Sequence, residues 1–181
     1  MTLSFDESAA AVGGFRWCEL ATWRACSAWA TTTPVAAAAV CLDVVGAHAA
    51  WRADQWWQRL PVLASVERSS LVVPPPGWAA VDDALAAVEG APARLAVTTR
   101  VLLGRLAAGY AAIAGFVSPV ADGPLARTLA QAQADVAADW QRSAALLTNL
   151  LVTGEAVDDA AAAVSGVEHR ALGGDPGEAA Q

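Results

Sequence analysis

Residues 61–77, Pro61-Val-Leu-Ala-Ser-Val-Glu-Arg-Ser-Ser-Leu-Val-Val-Pro-Pro-Pro-Gly77, divide a chain whose two flanks both read as helical. Proline at 61, three more at 74–76 and glycine at 77 keep either flanking helix from running through. A connection of this length spans the height of a helix, so the helices before and after it run parallel rather than as a tight antiparallel hairpin. Outward from this crossover, punctuation marks the remaining elements. Helix one is expected from about Phe15 to Ala30 after Gly13-Gly14, with a short amphipathic lead from Ser8. Pro34 sits in the first turn of helix two, which continues to about Leu60. Beyond the crossover, Trp78 to Glu89 forms a short helix stopped by Gly90 and Pro92. A third long helix follows from Ala93 to about Phe116. Ser118-Pro119 ends it, and Asp122 caps a fourth helix that runs to about Val152. A final helix covers roughly Glu155 to Leu172. The reading is one helical-bundle domain over 1–172 and a disordered Gly/Pro/acid tail over 173–181.

Composition supports the all-helical reading and excludes several functions. Of 181 residues, 56% are hydrophobic, Ala is prominent among them, and runs alternating with period two are scarce. Every basic side chain apart from the two histidines is Arg, and the formal charge is -7 with the cations scattered. That balance gives no surface for nucleic acid, whose phosphates need clustered cations. The longest apolar stretch, Leu95 to Val117, is interrupted by Arg100 and Arg105, so no membrane span is expected. Met1 to Glu7 is polar and acidic, unlike a secretory signal. Cys18, Cys26 and Cys41 form no CxxC pair and fit reduced thiols packed as small hydrophobes. The expected location is cytoplasmic. Arg-only, Ala-rich usage has the look of a high-GC actinobacterial genome.

Two ionisable residues stand out against this apolar background. Glu19 lies in Phe15-Arg16-Trp17-Cys18-Glu19-Leu20-Ala21-Thr22-Trp23, with aromatics four positions away on either side, so it faces inward. His48 lies in Leu42-Asp43-Val44-Val45-Gly46-Ala47-His48-Ala49-Ala50-Trp51. Folding about Thr31-Thr32-Thr33-Pro34 places Glu19 level with His48, at the wall of an internal cavity. Asp135 and Asp139, four apart on helix four, share a face and call for a cation, with Arg100, Arg105 and Arg142 as candidates. Arg52 and Asp54 read as solvated pairing groups. Six of the eight tryptophans, Trp17, Trp23, Trp29, Trp51, Trp56 and Trp57, belong to the first hairpin. They either fill gaps between Ala-rich helices or line a pocket for a flat or cationic organic molecule. Trp56 and Trp57 cannot both face one core, which marks a partner surface and makes a homodimer one expected assembly.

Two antiparallel helix pairs joined by a long crossover, with Glu19 on the first helix and His48 on the second, resemble the ferritin-like superfamily over residues 15–152. That resemblance implies a di-iron centre: a carboxylate on helices one and three, and Glu-x-x-His on helices two and four. In this chain Val45 stands three positions before His48 where the carboxylate belongs. No His follows Asp135 or Asp139 at that spacing, and helix three has no matching carboxylate.

Three functions fit. The first is metal-independent acid/base chemistry on a small apolar organic molecule, of isomerase, dehydratase or cyclase type. Glu19 and His48 would be catalytic there, and Trp17, Trp23, Trp51, Tyr110, Asp135, Asp139 and Arg100 would bind substrate, with no cofactor. The second is an oxidase or oxygenase holding iron or manganese through Glu19, His48, Asp135 and Asp139. The third is a non-catalytic scaffold or dimerising protein. The first is the expectation carried forward.

Overall fold

The computed structural model describes residues 3–171 apart from 63, 65 and 79; the tail 173–181 lies outside the described residues. The described chain is all-helical: α1 (Phe5–Thr32), α2 (Ala36–Arg59), α3 (Val81–Ala86), α4, α5 (Gly123–Leu150) and α6 (Gly154–Ala171). Helix α4 is one continuous run, α-helical over Ala91–Val97, a π-helix over Thr98–Leu103 and α-helical again over Gly104–Ala114. Among the described residues no helix is long and apolar enough to cross a membrane.

Cross-helix contacts fix the directions. Going up α1, Arg16 meets Ala53, Glu19 meets Arg52 and Gly46 lies against Ser27, so α1 and α2 are antiparallel. Tyr110 meets Glu19, Thr98 meets Cys26 and Arg94 meets Thr33, so α4 is antiparallel to α1 as well. Helices α2 and α4 therefore run parallel. Helix α5 packs on both α2 and α4 and closes the ring, while α6 lies along α4 and α3. Buried side chains from all of these helices, including Leu42, Val45, Trp56, Leu95, Leu102 and Val136, form one contiguous apolar cluster.

Helix α1 begins ten residues earlier than the glycine pair suggested. Ser4 and Glu7 form a reciprocal capping box: the Glu7 amide donates to Ser4 Oγ at 3.2 Å and the Ser4 amide to Glu7 Oε2 at 2.8 Å. Gly13 and Gly14 lie mid-helix, and their role is clearance. A Cβ at Gly13 would stand 1.9 Å from the Leu71 carbonyl oxygen, and one at Gly14 would stand 3.3 Å from Pro75. The crossover thus rests directly on the α1 backbone. Aromatic and guanidinium groups hold it there. Arg68, in a single 3-10 turn (Arg68–Leu71), donates to the Trp57 carbonyl and, at 3.0 Å, to the Leu60 carbonyl, capping α2. The guanidiniums of Arg16 and Arg68 each lie 4.5 Å from the Trp57 ring. Trp78 closes edge-on against Trp17 at 6.1 Å. The short helix α3 is trimmed to Val81–Ala86, and Gly90 (φ 78) supplies the left-handed backbone that turns the chain into α4.

Gly13→Ala should destabilise the protein by about 3 kcal/mol, because the new methyl meets backbone rather than a movable side chain. Gly166→Ala, mid-helix in α6 with nothing within 4 Å of the new Cβ, should stabilise it by about 0.5–1 kcal/mol. Denaturant titration of the two variants checks both; equal effects would mean that the crossover does not rest on Gly13.

Candidate functional site

At mid-height of the bundle, where an apolar core would be expected, four elements deliver charged and polar side chains to one another. Arg52 of α2 is 1% exposed, Glu19 of α1 is 0% and Asp139 of α5 is 1%. Arg52 Nε and one terminal nitrogen donate to the two oxygens of Glu19 at 2.7 and 3.1 Å, a bidentate fork. Its other terminal nitrogen donates to Asp139 Oδ2 at 2.9 Å. Tyr110 of α4 donates its hydroxyl to Glu19 Oε1 at 2.5 Å and accepts from Trp56 Nε1 at 3.0 Å. Asp139 Oδ1 meets His48 Nδ1 at 2.8 Å and accepts from Arg142 at 3.1 Å. The chain of contacts therefore runs from the sealed indole of Trp56 to the surface at His48 and Arg142, whose side chains are 48% and 50% exposed.

The electrostatics follow from this placement. Phe15, Trp56 and Tyr110 pack as a ring cluster beside Glu19, with centroids 4.7–5.4 Å apart. Burial pushes the Glu19 carboxyl up from its ordinary range, opposed by Arg52 and the Tyr110 hydroxyl. Burial works against a charged Arg52, but Glu19 and Asp139 outweigh it and hold the guanidinium above its usual value. Burial, reinforced by the Glu19 charge, raises Tyr110 well above an ordinary phenol, so it remains a donor. Two carboxylates face two guanidiniums, and each carboxylate oxygen has a donor. This is a polar network with its buried groups satisfied, which in a low-dielectric core is the condition for it to be tolerated at all.

The sequence-predicted residues are distributed unevenly around this network. Glu19, Asp139, Tyr110 and His48 belong to it. Glu19 and His48, however, do not meet: Arg52 and Asp139 stand between them. The hairpin register places Arg52, one helical turn beyond His48, level with Glu19. Arg52 was expected in solvent and is instead the centre of the core. Its signal was present in the spacing, since Arg52 is seven residues after Val45, three after Ala49 and four before Trp56, all buried. Asp139 does find arginine partners, Arg52 and Arg142, whereas Arg100 is exposed and Asp135 partly buried, and neither makes a side-chain hydrogen bond or ion pair with another described residue.

Trp17, Trp23 and Trp51 do not belong to the ring cluster of Phe15, Trp56 and Tyr110 beside Glu19. Trp23 and Trp51 are 42% and 43% exposed, and Trp17 is spent on Trp78. Hollows of about 430, 280 and 170 Å³ lie between α3, α4 and α6, between α1 and α3, and where α4 and α6 begin; none touches Glu19, Arg52, Asp139 or His48. Among the described residues no group of three or more His, Cys, Asp or Glu side chains is arranged to hold a metal ion, so Glu19, His48, Asp135 and Asp139 are not assembled as a ligand set. The guanidinium of Arg52 occupies the space between the two carboxylates. Compared with protein-family models, curated proteins and solved structures, the chain matches none of them.

Arg52→Met should cost about 3–5 kcal/mol in denaturant titrations, because it leaves two carboxylates buried without their cation. Replacing all three charges by apolar residues of similar volume should recover most of that loss. A cost below about 1 kcal/mol for Arg52→Met would mean that the network is not closed in solution. The Cys18 and Cys26 thiols, both buried and pushed up to about 12 by burial, should resist iodoacetamide near neutral pH until the protein unfolds. Rapid labelling of native protein would contradict the packing.

Proposed function

We propose that this chain is a metal-independent bundle of ferritin-like topology that works as a scaffold or interaction module, without chemistry at its centre. The observation that carries the reading is the closed Glu19–Arg52–Asp139 network: both inward-facing carboxylates are tied to one guanidinium, and the Phe15, Trp56 and Tyr110 rings pack beside Glu19. Parallel α2 and α4 joined by a long crossover, with α5 closing the ring, support the ferritin-like part of the proposal. In that arrangement Arg52 does by salt bridges what paired metal ions do by coordination, joining carboxylates from different helices. Trp51 and Val40, 43% and 65% exposed on α2, leave apolar surface for a partner, a second copy included.

Elemental analysis of protein refolded in the presence of iron and manganese tests this. The expected result is less than one metal ion per chain and a melting temperature unchanged by chelator. Two metal ions per chain, bound at about the 3.5–4 Å separation of two-metal sites, would overturn it and restore the oxidase reading.

One observation favours a second reading, acid/base catalysis. His48 is held by a buried carboxylate through Nδ1 while its side chain is half exposed, the arrangement of an oriented general base. In this reading His48 moves the proton, while Glu19 acts only through Arg52 and Asp139. Turnover of an organic substrate that vanishes in His48→Gln and survives in a folded Glu19→Gln protein would establish it.

A further inference from the structure

We propose that His48 is a phosphoryl acceptor, its Nε2 taking the group from a donor with a P–N bond while Arg142 holds the phosphoryl oxygens. Four observations on the same face of the bundle carry this beyond the scaffold reading.

The first is the tautomer. Asp139 Oδ1 lies 2.8 Å from His48 Nδ1, and the same carboxylate accepts from Arg52 and Arg142. An acceptor held by two guanidiniums assigns the imidazole hydrogen to Nδ1 and leaves the lone pair on Nε2. The second is access. Asp139 is 1% exposed whereas the His48 side chain is 48% exposed, so the orienting group is sealed and the imidazole is open to solvent. The third is the cation. Arg142, half exposed, meets the very oxygen that His48 meets, so a guanidinium fork stands beside the imidazole. Such a fork matches the oxygens of a phosphoryl group bidentately. The fourth is shape. None of the hollows described above reaches His48. A nucleophile on an open helix face suits a donor that brings its own surface. Trp51 and Val44, three and four residues from His48, lie on its side of α2 and give that donor an apolar footing.

Glu19 and Asp139 cancel Arg52 and Arg142 in charge, so the incoming phosphoryl oxygens are met locally by the half-exposed Arg142 rather than by a net positive face. Arg52 lies beneath Asp139, Arg142 beside it, and Asp135, one turn earlier on α5, is the other carboxylate on this side of α5. With phosphoramidate as donor, the Nε2 lone pair forms the new N–P bond as the old P–N bond breaks. The donor reacts as its zwitterion, whose nitrogen already carries three hydrogens, so it departs as neutral ammonia with the bonding pair. The ring retains its hydrogen on Nδ1 and becomes a phosphorylated imidazolium, whose positive charge faces the Asp139 carboxylate. No metal, oxidant or further reactant is needed.

The test uses the full chain and potassium phosphoramidate, with peptide mapping by mass spectrometry for His48 and for His169, the other histidine. In native protein one phosphoryl group should appear, on His48, in an acid-labile linkage, at least about tenfold faster than on His169. In concentrated urea the two histidines should react at similar rates, since the preference belongs to the fold. Arg142→Ala should slow His48 about tenfold, as the loss of one charge-assisted interaction with the incoming group would. Arg142→Lys should restore part of the rate. Absence of phosphorylation, equal native rates at the two histidines, or an unchanged rate in Arg142→Ala would each overturn the proposal. Metal binding, which decides the scaffold reading, is measured independently, so either proposal fails without deciding the other.

Discussion

A guanidinium with no access to water organises this protein. Arg52 has lost its hydration, a cost of several kcal/mol that only close, well-directed anions offset. Glu19 and Asp139 come from two other helices, so α1, α2 and α5 are held in one register relative to one another. Tyr110 adds α4 through its hydroxyl. A slip of one residue along any of these helices would rotate its polar group out of reach and leave the others buried and unpaired. In Ala-rich helices, where small side chains discriminate weakly between neighbouring registers, such a network specifies which packing is native.

The crossover solves a different problem with related chemistry. To bring α4 parallel to α2, the chain must travel the length of the bundle with little helix of its own, and its backbone needs something to lie on. Gly13 and Gly14 let it approach α1 closely, and Arg16, Arg68 and Trp57 clamp its start to the end of α2. Indole–guanidinium stacking suits a sequence without lysine: the planar fork lies flat on an indole and still donates sideways to carbonyls. Part of the tryptophan excess is therefore an architectural expense of the crossover, and part, at Trp56, belongs to the cluster beside Glu19.

These two devices leave only the outer end of the polar network at the surface. A centre in which every carboxylate oxygen is occupied has no vacant position for substrate, and Glu19 lies beside packed aromatic rings. What the network does reach is the surface, at His48 and Arg142, where an inner carboxylate orients groups that water and partners can touch. Stability and surface geometry are coupled here: His48 Nδ1 meets Asp139, which is itself placed by Arg52.

Hydrophobic periodicity and Pro/Gly punctuation suffice for the helical class, for most helix boundaries and for the parallel placement of α2 and α4, because these depend on local backbone preference and chain length. Glu19 was legible as an inward carboxylate from Phe15 and Trp23, although Trp23 itself turned out half exposed. The capping box at Ser4 and Glu7 was equally local, and its spacing alone marks where α1 starts. Pairing across the hairpin was not local. Whether His48 or Arg52 stands level with Glu19 depends on how closely α1 and α2 approach at Gly46 and Ala49, a packing outcome that no single segment encodes. The π segment of α4 likewise changes the ladder by one residue without a recognisable sequence mark, which is why Tyr110 reaches the core while Arg100 points to solvent. Composition and spacing are properties of one segment at a time, whereas the identity of a buried ion's partner is decided only when several helices have found their common register.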